Sequence, residues 1–178
     1  AVFMRSISPQ AVLAVGPVRV EGSDQHFPQD LRGNVVEPVK FTIRAEKCPN
    51  RAGVQAVVAH FMNDPMPYEE LLRLASSGKF SAVYLTGGDP QGWISELQAE
   101  AFSDVETVVL QDCLPSPVLQ HATHILPSAT FVERDGTVVN HRGLAQLIRR
   151  AVRGPDGSRP DSRILWELSG RSGLFQAE

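Results

Sequence analysis

The sequence predicts an α/β fold with a small parallel sheet flanked by helices. Three apolar segments of strand length alternate with helix-like segments between residues 81 and 127. Strands that are apolar throughout are typical of parallel sheets, because helices cover both faces of such a sheet. A hairpin-like excursion and a C-terminal helix are predicted to follow the sheet.

The first 53 residues have an irregular pattern. Residues 11–15 are apolar and are expected to form a short buried strand. Residues 21–39 are polar and interrupted by proline and glycine, which indicates a long loop. Residues 41–44 alternate between apolar and polar side chains, as a half-exposed strand does. The apolar segment 54–61 fits either a helix or a strand.

The elements become better defined from Pro67 onward. Pro67, two early acids and a following Gly78 are typical of a helix with a normal beginning and end. The predicted order is a helix at 67–75, a strand at 81–86, a helix at 93–102, a strand at 105–110, a short helix at 118–122 and a strand at 123–126.

A hairpin is predicted around Asp135-Gly136, a strong turn dipeptide with β-branched neighbours. Glu133 is expected to hold that turn through backbone N–H groups, which is a structural role. Residues 153–160 are rich in glycine and proline and indicate a linker, and 161–174 is predicted to be helical. The chain is thus divided into an irregular segment 1–53, an α/β domain 54–152 and a C-terminal segment 153–178.

The composition excludes several classes of protein. Apolar residues make up 42% of the chain, the net charge is −3 and the pI is about 6.0. This balance gives no reason to expect binding to nucleic acid. No apolar run approaches the roughly 20 residues of a membrane span. Without an initiator methionine, the chain is expected to be an excised fragment or a processed product.

No redox, metal or catalytic centre is predicted within the chain. Cys48 and Cys113 are too few for an iron–sulfur cluster, which usually takes four thiolates. They are expected to be a reduced pair, although the sequence leaves a disulfide open. The five histidines fit no metal-binding pattern, and no serine or cysteine lies in a nucleophile motif.

The candidate ligand residues follow two neighbouring strands. Gly87, Gly88 and Asp89 come directly after the strand at 81–86, and Gln111 and Asp112 end the next strand. Open α/β sheets bind ligands at the carboxyl ends of their strands, where glycines let backbone N–H groups approach a phosphate. The alternative is structural, with a tight glycine turn and an aspartate that caps the following turn.

One stretch carries a family resemblance. Leu126-Pro127, Glu133, Gly136-Thr137, Asn140 and Gly143 stand at the spacing of a signature of the molybdopterin oxidoreductase superfamily, which this stretch resembles. Further likenesses occur at 85–90, 108–112 and 161–168, so the resemblance runs from about Asn50 to the end. It looks closest to the large iron–sulfur subunit of NADH:quinone oxidoreductase, respiratory complex I.

Two residues depart from the family pattern. Thr123 stands where the family often has an acid, and Leu144 follows Gly143 where the family often has arginine. Both departures weaken the expectation that a pterin dinucleotide binds to this chain. Gly87, Gly88, Asp89, Gln111 and Asp112 would form the nucleotide site if one is retained.

The resemblance implies a non-catalytic scaffold and docking domain of a protein like this large iron–sulfur subunit, in an assembly that transfers electrons from NADH to quinone. No cofactor is expected in the chain itself, whereas the parent protein would carry iron–sulfur clusters and could carry a molybdopterin dinucleotide. Its partners would be other subunits of the complex I peripheral arm, on the cytoplasmic side of the membrane, without insertion into it. An apolar patch left on the fragment could also pair two copies.

Two alternatives remain open. The chain could be a domain of a molybdopterin-dependent enzyme, such as a formate dehydrogenase or nitrate reductase, that binds the nucleotide end of the cofactor. It could also be a stand-alone nucleotide-binding module.

Overall fold

The computed structural model describes residues 1–170, which form two compact units. Residues 18–49 form the smaller unit, and residues 1–17 belong with the chain from Asn50 onward. The helices are α1 (Val2–Ile7), α2 (Arg51–Phe61), α3 (Tyr68–Ser76), α4 (Glu96–Ala99) and α5 (Asp161–Leu168). The strands are β1 (Gln25–Phe27), β2 (Phe41–Ile43), β3 (Ala82–Thr86), β4 (Thr107–Asp112), β5 (His124–Pro127), β6 (Gly136–Val139) and β7 (Ala145–Ile148). Short 3-10 helices occur at Glu100–Phe102, Pro117–Gln120 and Phe131–Glu133.

The larger unit is built on the predicted parallel sheet, with strand order β3-β4-β5. Both neighbouring pairs are parallel: Leu85 of β3 lies beside Leu110 of β4, and Leu110 lies beside Ile125 of β5. Helices lie on the sheet, and a hairpin and the helix α5 follow it. The predicted fold class is therefore confirmed.

The main core lies on one face of this sheet. Phe102, Val108 and Val118 are fully buried there, together with side chains from α3 and α4. The opposite face carries Tyr84, whose ring meets that of Phe3 from α1 edge-on, with 6.1 Å between the ring centres. Both faces of the sheet are therefore in contact with other elements of the unit.

The structure corrects several predicted elements. Residues 11–15 form no strand beyond a single bridge between Ala14 and Met66, and α1 was not predicted at all. The ambiguous segment at 54–61 lies in α2. The helix predicted at 93–102 begins later, because Ser95 caps it in a reciprocal arrangement with Gln98. The helical segment predicted at 118–122 is a 3-10 turn.

The predicted hairpin exists, but its turn was placed wrongly. Gly136 begins β6 and pairs with Ile148 of the antiparallel strand β7, so Asp135-Gly136 lies at the open end. The connecting turn is made by Asn140, whose side-chain oxygen accepts the N–H groups of Arg142 and Leu144 at 2.9 and 3.1 Å. An asparagine that satisfies its own turn in this way replaces the expected dipeptide.

The hairpin is tied to α2 by the residue that precedes this helix. Asn50 accepts a hydrogen bond from the Val139 N–H with its side-chain oxygen, at 2.8 Å. The C-terminal helix follows as predicted from Asp161, and it ends at Leu168. The predicted continuation to residue 174 lies partly outside the described residues.

The smaller unit is a short antiparallel pair, β1 and β2, at whose end Phe27 and Phe41 stack with 4.9 Å between their ring centres. Asp24 holds it together by accepting hydrogen bonds from the Arg44 side chain and the Ala45 N–H. The second strand lies within the stretch predicted at 41–44. In the whole described chain, none of the helices is long and apolar enough to cross a membrane.

We predict that Phe102→Ala lowers the free energy of unfolding by about 3–5 kcal/mol, because it empties a fully buried position in the core. Phe131→Ala is the matched control, since Phe131 is 69% exposed, and it should change stability by less than about 0.5 kcal/mol. Urea unfolding followed by circular dichroism measures both. Equal losses in the two variants would contradict this assignment of the core.

Candidate functional site at the carboxyl edge of the sheet

The ends of β3, β4 and β5 stay joined where the strands finish. The N–H of Gly87 donates to the carbonyl of Gln111 at 2.9 Å, which extends the pairing of β3 and β4 by one residue. The N–H of Ser128 donates to the carbonyl of Asp112 at 3.0 Å, which does the same for β4 and β5. The predicted ligand residues are therefore brought to one edge of the sheet.

The carboxylate of Asp112 is the centre of this edge. One oxygen accepts a hydrogen bond from the indole N–H of Trp93 at 2.9 Å. The other accepts the backbone N–H groups of Cys113 and Leu114 at 2.7 and 3.3 Å. Asp112 is buried, so these three donors replace the water that a carboxylate would otherwise keep. The structural alternative for Asp112, a local turn cap, is thus realised in the fold.

Gly87 packs directly against that carboxylate. A Cβ atom at position 87 would lie 1.9 Å from the Oδ2 of Asp112 and 2.4 Å from the Nε1 of Trp93. No side chain fits there without displacing the hydrogen bond between these two residues. The next residue, Gly88, faces the Sγ of Cys113, and its own Cβ would find only that atom within 4 Å, at 3.9 Å.

Gln111 points away from Asp112, to the other face of the sheet. It is 1% exposed, it accepts a hydrogen bond from the Tyr84 hydroxyl, and its amide donates to Asp161 of α5 at 2.6 Å. Asp161 also forms an ion pair with Arg134. Burial raises the pKa of Tyr84 to about 12 and lowers the pKa of Arg134, so the phenol stays protonated at neutral pH.

Asp89, the last of the five predicted residues, is half-buried in the turn that leaves β3. Its side-chain oxygen accepts the N–H of Gln91 at 2.9 Å. The structure therefore places Gly87 against the carboxylate of Asp112 and Gly88 beside the Sγ of Cys113. Asp89 bonds within its own turn, and the side chain of Gln111 belongs to a separate network.

A cavity of about 240 Å³ opens beside Asp112, on the side of β5. Glu133 and Asp156 are among its polar lining residues. Glu133 is fixed, because its carboxylate accepts the N–H of Thr130 at 2.9 Å. The cavity is lined by Asp112, Cys113, Pro127, Ser128, Thr130, Glu133 and residues 155–158.

A second cavity of about 240 Å³ is also lined by residues 155–158. Arg150 and Arg153 line it together with Glu133 and Asp156, so it contains the basic groups that the first cavity lacks. Sequence reasoning missed both cavities, because residues 153–160 were predicted to be only a linker. A hint was available, since this linker follows the signature stretch closely and carries two glycines.

The lining of the two cavities fits parts of a nucleotide. Carboxylates accept hydrogen bonds only, so the first cavity suits ring N–H and ribose hydroxyl donors. Arginines are preferred partners of phosphate, so the second cavity suits an anionic group. Each volume lies below the roughly 300–1,000 Å³ of pockets that enclose a drug-sized ligand, so neither cavity by itself encloses a dinucleotide.

The Cys113 thiol borders this site and has a raised pKa. Burial raises the pKa of Cys113, and the negative charge of Asp112 raises it further. The thiolate is the reactive form, so Cys113 reacts slowly at neutral pH. Among residues 1–170, no cluster of three His, Cys, Asp or Glu side chains could hold a metal ion.

The sequence matches a known family over most of its length. Residues 52–171 match the model of the family described as "Molybdopterin oxidoreductase". The matched region contains the parallel sheet, the glycine turn, the signature stretch and α5. The chain therefore belongs to the molybdopterin oxidoreductase family.

Curated relatives include several oxidoreductases. Formate dehydrogenase H of Escherichia coli strain K12 is 31% identical over 137 residues, which cover 76% of this chain and 19% of that protein. Nitrate reductase of Symbiobacterium thermophilum is 29% identical over 115 residues, covering 63% of this chain and 15% of that protein. NADPH-Fe(3+) oxidoreductase subunit alpha of Geobacter sulfurreducens is 29% identical over 104 residues, or 57% of this chain and 12% of that protein. The chain thus spans about a fifth or less of the length of these relatives.

We predict that Gly87→Ala destabilises the protein by about 1–3 kcal/mol, because the added methyl group must displace Asp112 or Trp93. Gly16→Ala is the control, since a Cβ there meets no atom within 4 Å, and it should change stability by about 0.5 kcal/mol at most. Thermal unfolding, together with the fluorescence of Trp93, reports the effect. Unchanged stability in Gly87→Ala would refute the close packing described for this turn.

Proposed function

We propose that this chain is a domain of a molybdopterin-dependent oxidoreductase and that it binds the nucleotide end of the cofactor. The observation that carries the proposal is the cavity at the carboxyl ends of β4 and β5, beside the buried Asp112. This is the position at which open α/β sheets commonly bind ligands. The relatives named above include a formate dehydrogenase and a nitrate reductase, and this similarity supports the proposal.

Different parts of the edge would hold different groups of the ligand. Asp89, in the turn after β3, and Glu133 and Asp156, which line the cavity, would accept hydrogen bonds from the base and ribose. Arg150 and Arg153 would face phosphate oxygens. When bound, the cofactor supplies the redox chemistry at its metal centre, and these residues bind and orient its nucleotide end.

The proposal assigns no catalytic role to Asp112 or Gly88. The carboxylate of Asp112 already accepts three hydrogen bonds from its own chain, and it shapes the floor of the cavity. Its contribution is to hold the Gly87 turn and the start of the segment after β4 in place.

A second candidate is a scaffold domain like that of the large iron–sulfur subunit of complex I, docked to other subunits of a peripheral arm. Thr123 favours this candidate, because its hydroxyl exchanges two hydrogen bonds with the backbone of Val108, both at 3.0 Å, and supplies no carboxylate. Leu144 is 58% exposed where the family often has arginine. A scaffold would keep the fold and the closed network of Gln111 without binding a nucleotide.

We predict that the chain binds GDP with a Kd of about 1 mM or tighter, which corresponds to about −4 kcal/mol or better. Asp89→Ala should weaken binding about tenfold, because a hydrogen bond to a charged group contributes about 1.5–3 kcal/mol. Isothermal titration calorimetry measures both values.

Asp30→Ala is the matched control for this test. Asp30 also accepts a backbone N–H two residues ahead, from Arg32, but it lies in the smaller unit. The substitution removes the same charge and the same kind of local hydrogen bond, so GDP binding should stay unchanged. Absence of any GDP binding, with all proteins folded, would contradict the proposal and favour the scaffold.

A further inference from the structure

In the part of the chain that the structure describes, residues 154–158 lie between two stretches whose backbones are hydrogen-bonded to the rest of the unit, while the residues themselves are not. Before them, the N–H groups of Ala151 and Val152 both donate to the carbonyl of Val132, at 2.8 and 3.1 Å. After them, the backbone N–H of Arg159 donates to the carbonyl of Pro127 at 3.2 Å, and the carbonyl of Arg159 accepts the N–H of Ala129 at 2.9 Å. These two bonds join the chain to the end of β5.

Between these anchors the segment is bonded to itself. The backbone N–H and the side-chain hydroxyl of Ser158 both donate to the carbonyl of Pro155, at 3.1 and 2.8 Å. Asp156 is paired with Arg153, and both side chains are more than 80% exposed. Within the described chain, no hydrogen bond joins residues 154–158 to the floor of either cavity.

This segment nevertheless forms a shared wall of both cavities. Pro155, Asp156, Gly157 and Ser158 line the cavity beside Asp112 and also the basic cavity next to it. Its turn depends on Gly157, whose φ of +94° is strained for any residue with a side chain. Movement of these residues would join the two cavities without breaking a strand or a helix.

We propose that residues 154–158 are a flap that opens the cavity beside Asp112, with the Val132 and Arg159 anchors as its fixed ends. Within the described residues, the movement is opposed by the internal turn, by contacts with Glu133 and by the exposed pair of Asp156 with Arg153, so the chain of the flap can move. The identity of the ligand that would enter rests on the proposed function, whereas the movement itself does not. Closure over a bound nucleoside would exclude water from the hydrogen bonds to Glu133.

Cys113 gives a direct readout of this movement, because it lines the cavity beneath the flap. The other cysteine, Cys48, lies in the smaller unit and accepts a hydrogen bond from the Arg19 N–H at 3.3 Å. Cys48→Ser keeps an acceptor at that position and leaves a single reactive thiol. The reaction of this variant with Ellman's reagent then measures access to the cavity.

In the Cys48→Ser background, Gly157→Ala should raise the rate of Cys113 modification about five- to tenfold, because alanine at this φ favours the opened turn. Ser158→Ala should raise it by a smaller factor, about two- to fivefold, through loss of the bond to Pro155. The second variant adds no atoms, so it keeps the test valid if Gly157→Ala does not fold. Rates at several pH values separate altered access from an altered pKa of the thiol.

Gly143→Ala is the matched control, since Gly143 also has a positive φ, of +77°, and open space around its Cβ position. It strains the hairpin turn and not the flap, so the rate should not change. Faster modification of Cys113 in both flap variants, with an unchanged rate in Gly143→Ala, supports the flap. Equal rates in the flap variants and their background, or equal acceleration in all three variants, would overturn it.

GDP separates this inference from the proposed function. Saturating GDP should slow the modification of Cys113 at least threefold in the Cys48→Ser protein, because it holds the flap closed. Acceleration by the flap variants without protection by GDP would keep the flap and reject the nucleotide. Protection without acceleration would reject the flap and keep the nucleotide.

Discussion

The buried carboxylate of Asp112 is the interaction on which the rest of the site depends. A charged group at this depth is tolerated because an indole N–H and two backbone N–H groups donate to it. The same contacts determine the path of the chain around it. Gly87 must lack a side chain to pass the carboxylate, and Trp93 is held over the glycine turn. The floor of the cavity is therefore set by one residue at the end of the central strand.

A second network fixes the opposite side of the same strand end. The buried amide of Gln111 bonds both Tyr84 and Asp161, and Asp161 pairs with Arg134, which lies within the signature stretch. Loss of one member would leave a buried polar group without a partner, at a cost of about 1–3 kcal/mol. The two networks together tie the sheet edge to the elements around it through side-chain hydrogen bonds. Residues 154–158, in contrast, bond mainly to themselves.

Sequence patterns predicted the elements that depend on local or repetitive signals. Three apolar strands, the glycine turn after β3 and the beginning of α5 follow from composition and spacing. The hairpin turn was misplaced because Asp135-Gly136 has the stronger intrinsic preference, while the pairing of Gly136 with Ile148 decides the register. The helix α1 was missed because six residues provide too short a periodic signal.

The site was predictable only in part, because contacts between residues distant in the sequence determine most of its walls. Parallel strands bring their carboxyl ends together, so Gly87 and Asp112 were expected to meet. The direction of the Gln111 side chain depends on which face each residue of β4 occupies. The cavity walls depend on residues 155–158, which return to the sheet edge from far along the sequence. Contacts of this range leave no periodic trace in a single sequence.

The proposed function requires the nucleotide end of a cofactor to bind at the sheet edge beside Asp112. Amide chemical shifts of the isotope-labelled chain, recorded during titration with GDP, report whether a nucleotide binds and at which residues. Saturable shifts are expected at Gly88, Asp89, Cys113, Ser128 and Gly157, with none in the β1–β2 pair. Shifts that are absent, or that concentrate in the smaller unit, would contradict it.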